Sequence, residues 1–169
     1  MKIYIVGSVG SGKTTLARQL SAATGIPCYH LDEVQHDGLR RRTDDERDSL
    51  FAEILAKEHY IIEDTGRKAF TEGIRQADTI VLLNIPLFVC RKRIVSRWFK
   101  QKLGIEKCGY KPNFKMLRLM FMWSKNYASG ADGLKSRLEQ LSDKTITLRT
   151  TKEINDFLGG ITNVQNCNP

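Results

Sequence analysis

Gly7-Ser8-Val9-Gly10-Ser11-Gly12-Lys13-Thr14 decides how this chain is read. The stretch follows a short β-type apolar run, Ile3-Tyr4-Ile5-Val6, and precedes a helical segment over residues 13–23. Glycines at 7, 10 and 12 let the backbone curl until several N–H groups point inward. The helix that follows adds its positive N-terminus. Lys13 supplies a point charge for β- and γ-phosphates, and the Thr14 hydroxyl is a ligand for Mg²⁺. Thr15 is placed for the α-phosphate. The nucleotide contacts expected are therefore Gly7, Ser8, Gly10, Ser11, Gly12, Lys13, Thr14 and Thr15, with ATP and Mg²⁺ as cofactors. No NKxD-type guanine signature accompanies the motif.

Outward from this point, strand-like and helix-like segments alternate. Residues 27–31 read as a second strand ending at Asp32, followed by a polar loop over 33–42. Thr43 and Glu46 have capping-box spacing and open a helix to about residue 58. Residues 59–64 read as a third strand and 70–76 as a short helix. Residues 79–85 form a fourth strand, apolar on both faces. Helices follow at 87–102, 114–127 and 134–141, then a fifth strand at 144–148 and a closing helix at 151–158. Residues 159–169 read as a flexible polar tail. Alternation of this kind gives a three-layer α/β fold, a parallel sheet of five strands with helices on both faces. The 169 residues fit one domain, over 1–158.

Composition narrows the function classes. With 41% hydrophobic and 27% charged residues, the chain is that of an ordinary globular protein. No run approaches the roughly 18–20 apolar residues of a membrane span. Cys28, Cys90, Cys108 and Cys167 form no CxxC pair and read as reduced thiols of a cytoplasmic protein. The net charge of +8 is uneven. Residues 1–86 hold 11 Lys/Arg and 13 Asp/Glu, whereas residues 91–125 hold 11 basic residues and one acid, Glu106. This dense cationic segment attracts phosphates, whether of a nucleotide, a nucleic acid or an anionic surface.

Acids and arginines complete the candidate site. Asp32, Glu63 and Asp64 fall at strand ends, where a parallel sheet opens onto its ligand crevice. Asp32 is placed to orient or deprotonate an acceptor hydroxyl, and Glu63 or Asp64 to hold the water shell of the metal. Phosphoryl transfer needs cations opposite the glycine loop. Arg93 and Arg97, four apart, project from one helix face and fill that role, while Arg91 is offset. Arg67 can reach the acceptor side, Arg40-Arg41-Arg42 reads as a solvated loop, and Arg149 flanks the base. His30 reads as packed or hydrogen-bonded rather than catalytic.

The opening residues 1–17 resemble adenylate-kinase-related P-loop proteins, and within them the bacterial topology modulation, or FlaR-type, proteins. The resemblance continues through Ile26-Pro27-x-Tyr29-His30-Leu31-Asp32, Tyr60-Ile61-Ile62-Glu63, Ala77-Asp78-Thr79-Ile80-Val81-Leu82-Leu83, Arg93-x-x-x-Arg97 and Leu148-Arg149-x-x-x-Glu153-Ile154. It covers residues 1–158 and implies a nucleotide-kinase-like P-loop nucleoside triphosphate hydrolase fold, with residues 91–125 as the lid region. The family pattern has Asp-Gly after the third strand, where this chain has Glu63-Asp64. The function expected is ATP-dependent phosphoryl transfer to a small, nucleotide-like or anionic acceptor, by a monomer or homodimer. The alternative is a nucleotide-binding regulator that contacts DNA through residues 91–125, with Trp98, Phe99, Tyr110 and Phe121 available for stacking.

Overall fold

The computed structural model describes residues 1–106, 108 and 110–166, the last five by backbone alone. Lys107 of the cationic segment, and residues 167–169 with Cys167, lie outside the described residues. Five parallel strands form the main sheet: β1 (Lys2–Gly7), β2 (Cys28–His30), β5 (Tyr60–Asp64), β6 (Thr79–Leu83) and β7 (Thr145–Leu148). Their order is β2-β5-β1-β6-β7, so β1 sits in the centre with β5 and β6 beside it. A two-stranded hairpin, β3 (His36–Asp37) with β4 (Arg40–Arg41), stands apart.

Side chains alternate across each strand, so one sheet feeds two cores. Tyr4, Val6, Ile62, Ile80 and Leu82 face one side and pack with Phe51, Phe70, Tyr127 and Leu134. Ile3, Ile5, Ile61, Val81 and Leu83 face the other and pack with Leu16, Leu20 and Leu148. The first core is roofed by α3 (Asp44–Leu55), α4 (Thr71–Gln76), α6 (Phe114–Ser129) and α7 (Leu134–Glu139). The second is covered by α1 (Lys13–Thr24), α5 (Leu87–Lys102) and α8 (Thr151–Asn166). Fully burying each such aliphatic side chain contributes roughly 1.5–3 kcal/mol. The three-layer α/β fold with its five-stranded parallel sheet is therefore as expected.

Helix α3 stops at Leu55, β6 at Leu83 and α7 at Glu139, two or three residues short of expectation, and three further differences change the elements themselves. The second strand stops at His30, and α2 (Leu31–Gln35) carries Asp32 in its first turn. Leu31 and Val34, three apart, are both buried, which favours a helical turn over an extended one. The segment expected as a polar loop contains the β3–β4 hairpin, held by Arg42, whose Nη1 donates to the His36 carbonyl at 2.7 Å. Arg40 bonds Glu46 at 3.0 Å, so two of the three consecutive arginines hold local structure. The closing helix runs past residue 158 to Asn166, through Gly159 and Gly160. Ile154, Phe157, Leu158 and Ile161 form a stripe at helical spacing against the second core. That burial offsets the roughly 1 kcal/mol each glycine costs in a helix.

The capping box of α3 is present as the sequence implies. Thr43 Oγ1 accepts from the Glu46 amide at 3.3 Å, and Glu46 accepts from the Thr43 amide at 2.9 Å. Thr43→Ala is expected to cost about 1 kcal/mol, lowering Tm by about 2–4 °C for a chain of this size. A thermal melt checks it.

Candidate active site

The glycine loop joins β1 to α1. Gly10 and Gly12 adopt left-handed backbone, φ 78° and 101°. A Cβ at Gly10 would stand 2.7 Å from the Cys90 carbonyl oxygen, so the loop lies directly on α5. Gly12 is also the N-cap of α1 and offers no side chain to its first turn. The first-turn amides therefore remain available to an anion. The hydroxyls of Ser8 and Ser11 are buried without a hydrogen-bond partner. Lys13 Nζ donates to the Ser8 carbonyl at 2.9 Å. Burial holds its ammonium below the usual lysine range, against the pull of Glu63, Asp64 and Asp32. A curled, uncapped loop with an under-solvated ammonium fits the polyphosphate of ATP.

Above the loop lies a cavity of about 690 Å³. Gly10, Gly12, Lys13, Thr14 and Thr15 form its floor. Asp32, Glu63, Asp64 and Thr65 line one side, and Lys92, Arg93, Ser96, Arg97 and Lys100 of α5 the other. The size suits a ligand pocket. Lysines and arginines from one helix thus face carboxylates from one sheet strand, β5, and from α2 across a phosphate cradle.

Strand register separates the two adjacent acids. Glu63 pairs with Ile5 and Asp64 with Val6, so their side chains leave opposite faces of the sheet. Glu63 faces α1, where Thr14 Oγ1 donates to its Oε1 at 3.1 Å. His30, its register partner on β2, brings Nδ1 to the same oxygen at 3.1 Å. Burial raises the Glu63 carboxyl, but the His30 bond and the Lys13 charge outweigh it and hold the group below its ordinary value. The same bond raises His30. Asp64 instead accepts from the Gly66 and Arg67 amides, both at 2.7 Å, from Arg67 Nη1 at 2.9 Å, and from Tyr4 at 3.4 Å. Burial pushes its carboxyl up, opposed by Arg67. Glu63, then, stands beside Thr14, while Asp64 is taken up by the turn that follows β5. Thr14 with Glu63 is an all-oxygen pair of the kind Mg²⁺ prefers.

Arg93 reaches across to the loop and donates to the Ser11 carbonyl at 2.9 Å. Arg97 lines the cavity, its Nη2 only 4.0 Å from the Met120 sulfur. Arg91 turns from the cleft and lies 5.5 Å over the Phe121 ring. Arg149 is exposed, its amide on Glu153 at 2.8 Å, and is not among the cavity-lining residues. Asp32 meets Arg67 Nη2 in a short ion pair. Gly7, whose added Cβ would lie 2.8 Å from the Leu83 carbonyl, packs β1 against β6 rather than touching the cavity. Phe88, Lys92 and Ser96 were not singled out in the sequence, although their four-residue spacing with Lys100 marks one side of α5.

Residues 2–84 match the AAA domain family. No curated protein sequence matches the chain. Among solved structures, it is similar to a shikimate kinase from Acinetobacter baumannii, determined with shikimate, at TM-score 0.60 and 16% identity over 99% of this chain and 94% of that one. A shikimate kinase from Bacteroides thetaiotaomicron gives TM-score 0.53 and 16% identity, covering 97% of each chain. A gluconokinase from Sinorhizobium meliloti 1021 gives 0.53 and 13%, covering 98% and 95%. Glycine loop, strand order and these likenesses define a P-loop fold of the small-molecule kinase type. Among the described residues, no helix is long and apolar enough to cross a membrane.

Proposed function

We propose that the chain is an ATP-dependent phosphotransferase of the cytoplasm, acting on a small anionic acceptor, with one catalytic domain that includes α8 through Ile161. One observation carries the reading: a single cavity holds the phosphate cradle on its floor, carboxylates on one side and Arg97 with two lysines on the other. ATP phosphates lie on the loop from Gly10 to Thr15. Thr14 and Glu63 would hold Mg²⁺, which when bound would neutralise charge on the transferring group. Asp32 orients the acceptor hydroxyl. Arg93 and Arg97 stabilise the charge that spreads over the equatorial oxygens, and movement of the basic segment excludes water. The likeness of residues 1–158 to topology modulation proteins belongs to the same proposal, with the acceptor left to experiment.

The test is ADP production above the no-acceptor background, across nucleotides and hydroxylated carboxylates and phosphates. An acceptor should raise turnover, and Arg97→Met should lower that rate by about 10³-fold, the smaller end of arginine effects on phosphoryl transfer. Background turnover with every acceptor would overturn the reading. Of Trp98, Phe99, Tyr110 and Phe121, Phe99 is exposed and Trp98 is buried, so a nucleic-acid role rests on Phe99 together with exposed Phe114 and Trp123 among the cations of α5 and α6. Duplex binding with a steep salt slope, insensitive to Lys13→Ala, would support it.

A further inference from the structure

A second, smaller cavity of about 240 Å³ lies beside the glycine loop, between the end of β6, the start of α5 and the neighbouring ends of α6 and α7. It shares no lining residue with the cavity above the loop. Pockets for drug-sized ligands measure about 300–1,000 Å³, so an occupant here is small.

Three of its polar side chains are free to donate. The Ser8 hydroxyl is buried without a hydrogen-bond partner. Asn84 donates its backbone amide to the Leu148 carbonyl at 2.9 Å, but its side-chain amide has no partner among the described residues. Lys135 Nζ lies 5.6 Å from the Tyr127 ring centroid and meets no carboxylate among the described residues. The other hydroxyls are already used, Tyr127 donating to the Leu83 carbonyl at 3.2 Å and Ser124 to the Phe121 carbonyl at 2.9 Å. Helix α5 adds its beginning. Pro86 and Leu87 line the cavity, no side chain caps the helix, and no acid stands in its first turn, so first-turn amides are free. The lining as a whole holds one ammonium and no carboxylate. Free donors around a positive charge are complemented by an oxyanion.

We infer that this cavity is a second binding site, for the carboxylate or phosphate group of a small anion, and that its occupancy opposes nucleotide binding on the loop. Ser8 belongs to both sites. Its carbonyl accepts from Lys13 in the cradle at 2.9 Å, and the same residue lines the second cavity. Negative charges on either side of one loop repel, and coupling between two sites is reciprocal. The site stands without the phosphotransfer reading, whereas its regulatory effect rests on nucleotide binding.

The experiment follows backbone amide resonances of the full chain by NMR, with Asn84 and Leu87 as reporters. Acetate and inorganic phosphate are titrated separately at constant ionic strength, without nucleotide. Both resonances should shift saturably, and the tighter anion identifies the charged group of the ligand. Lys13→Met removes the cradle's ammonium and should leave that affinity within about threefold. Lys135→Met should weaken it by about 10- to 150-fold, the loss of a charge-assisted bond. Asn84→Ala should weaken it by about twofold to tenfold, and thermal melts of both variants separate a lost site from a lost fold. In a second arm, the tighter anion should raise the Kd of Mg·ADP by about fivefold, the lower end of ordinary coupling, and leave it unchanged in Lys135→Met. No saturable shift with either anion, a shift abolished by Lys13→Met, or full affinity in Lys135→Met would overturn the site. An Mg·ADP affinity that the anion leaves unchanged or raises would overturn the regulatory effect alone. Absence of Mg·ADP binding would remove that effect together with the phosphotransfer reading, while the first arm still decides the site.

Discussion

Replacing Lys13 with methionine is expected to weaken ATP binding by about 10- to 150-fold while leaving the ligand-free protein at least as stable as the wild type. The two effects have opposite signs for one reason. Lys13 is 7% exposed, and burial disfavours its charged form. Folding therefore carries a cost at neutral pH, where the ammonium is held away from water with one carbonyl partner at 2.9 Å. Methionine has similar length and no charge to desolvate, so that cost disappears along with one hydrogen bond. Bound triphosphate reverses the balance, since a charge-assisted hydrogen bond to phosphate contributes about 1.5–3 kcal/mol, which is the fold-change stated above. Calorimetric titration with Mg·ATP and a thermal melt of the free protein measure both halves. Unchanged affinity would remove the cradle assignment. A Tm loss beyond about 4 °C would make Lys13 a structural residue.

The core of this site is legible in the sequence because it is local. Eight consecutive residues between a strand and a helix determine the loop, and Gly10 and Gly12 supply the left-handed backbone it needs. The helix carrying Arg93 and Arg97 is equally legible, since the four-residue spacing decides that they share a side. Choosing between Glu63 and Asp64 is different. Their faces follow from the parity of β5 against β1, and parity depends on which residues pair across strands. His30 shows the same dependence. Its bond to Glu63 exists because Cys28–His30 aligns with residues 61–63, a non-local fact. The short helix at Asp32 is obscured by the strand-like alternation of Cys28-Tyr29-His30-Leu31, which reads on through Leu31 as one extended segment. The end of α8 was obscured by Gly159-Gly160, a local stop signal overruled by burial of Ile161. Arg149 follows a strand end, yet its side chain does not line the cavity, because position along the chain does not set side-chain direction.

Asp64→Ala should be the most destabilising single change in the cleft, by about 3–5 kcal/mol, the cost of breaking a buried ion pair from one side. Four donors converge on this carboxylate: the Tyr4 hydroxyl, two backbone amides and the Arg67 guanidinium. Alanine leaves the Gly66 amide inside the protein without its acceptor, and leaves Arg67, 29% exposed, without its inner partner. Gly66 also has φ 89° and lies against Leu134, where an added Cβ would stand 2.7 Å away. The turn therefore cannot relax toward α7 to find new partners. At about 2–4 °C per kcal/mol, Tm should fall by roughly 6–20 °C. Glu63→Gln, one residue earlier on the same strand, keeps the shape of the side chain and can still accept from Thr14 and His30. It should move Tm by less than about 4 °C while weakening Mg²⁺-dependent ATP binding. Equal Tm losses from both variants would show that the sheet does not divide the two carboxylates into a structural and a ligand-facing role. A loss below 1 kcal/mol for Asp64→Ala would mean that the turn carrying Arg67 is held by Arg137 and Leu134 alone.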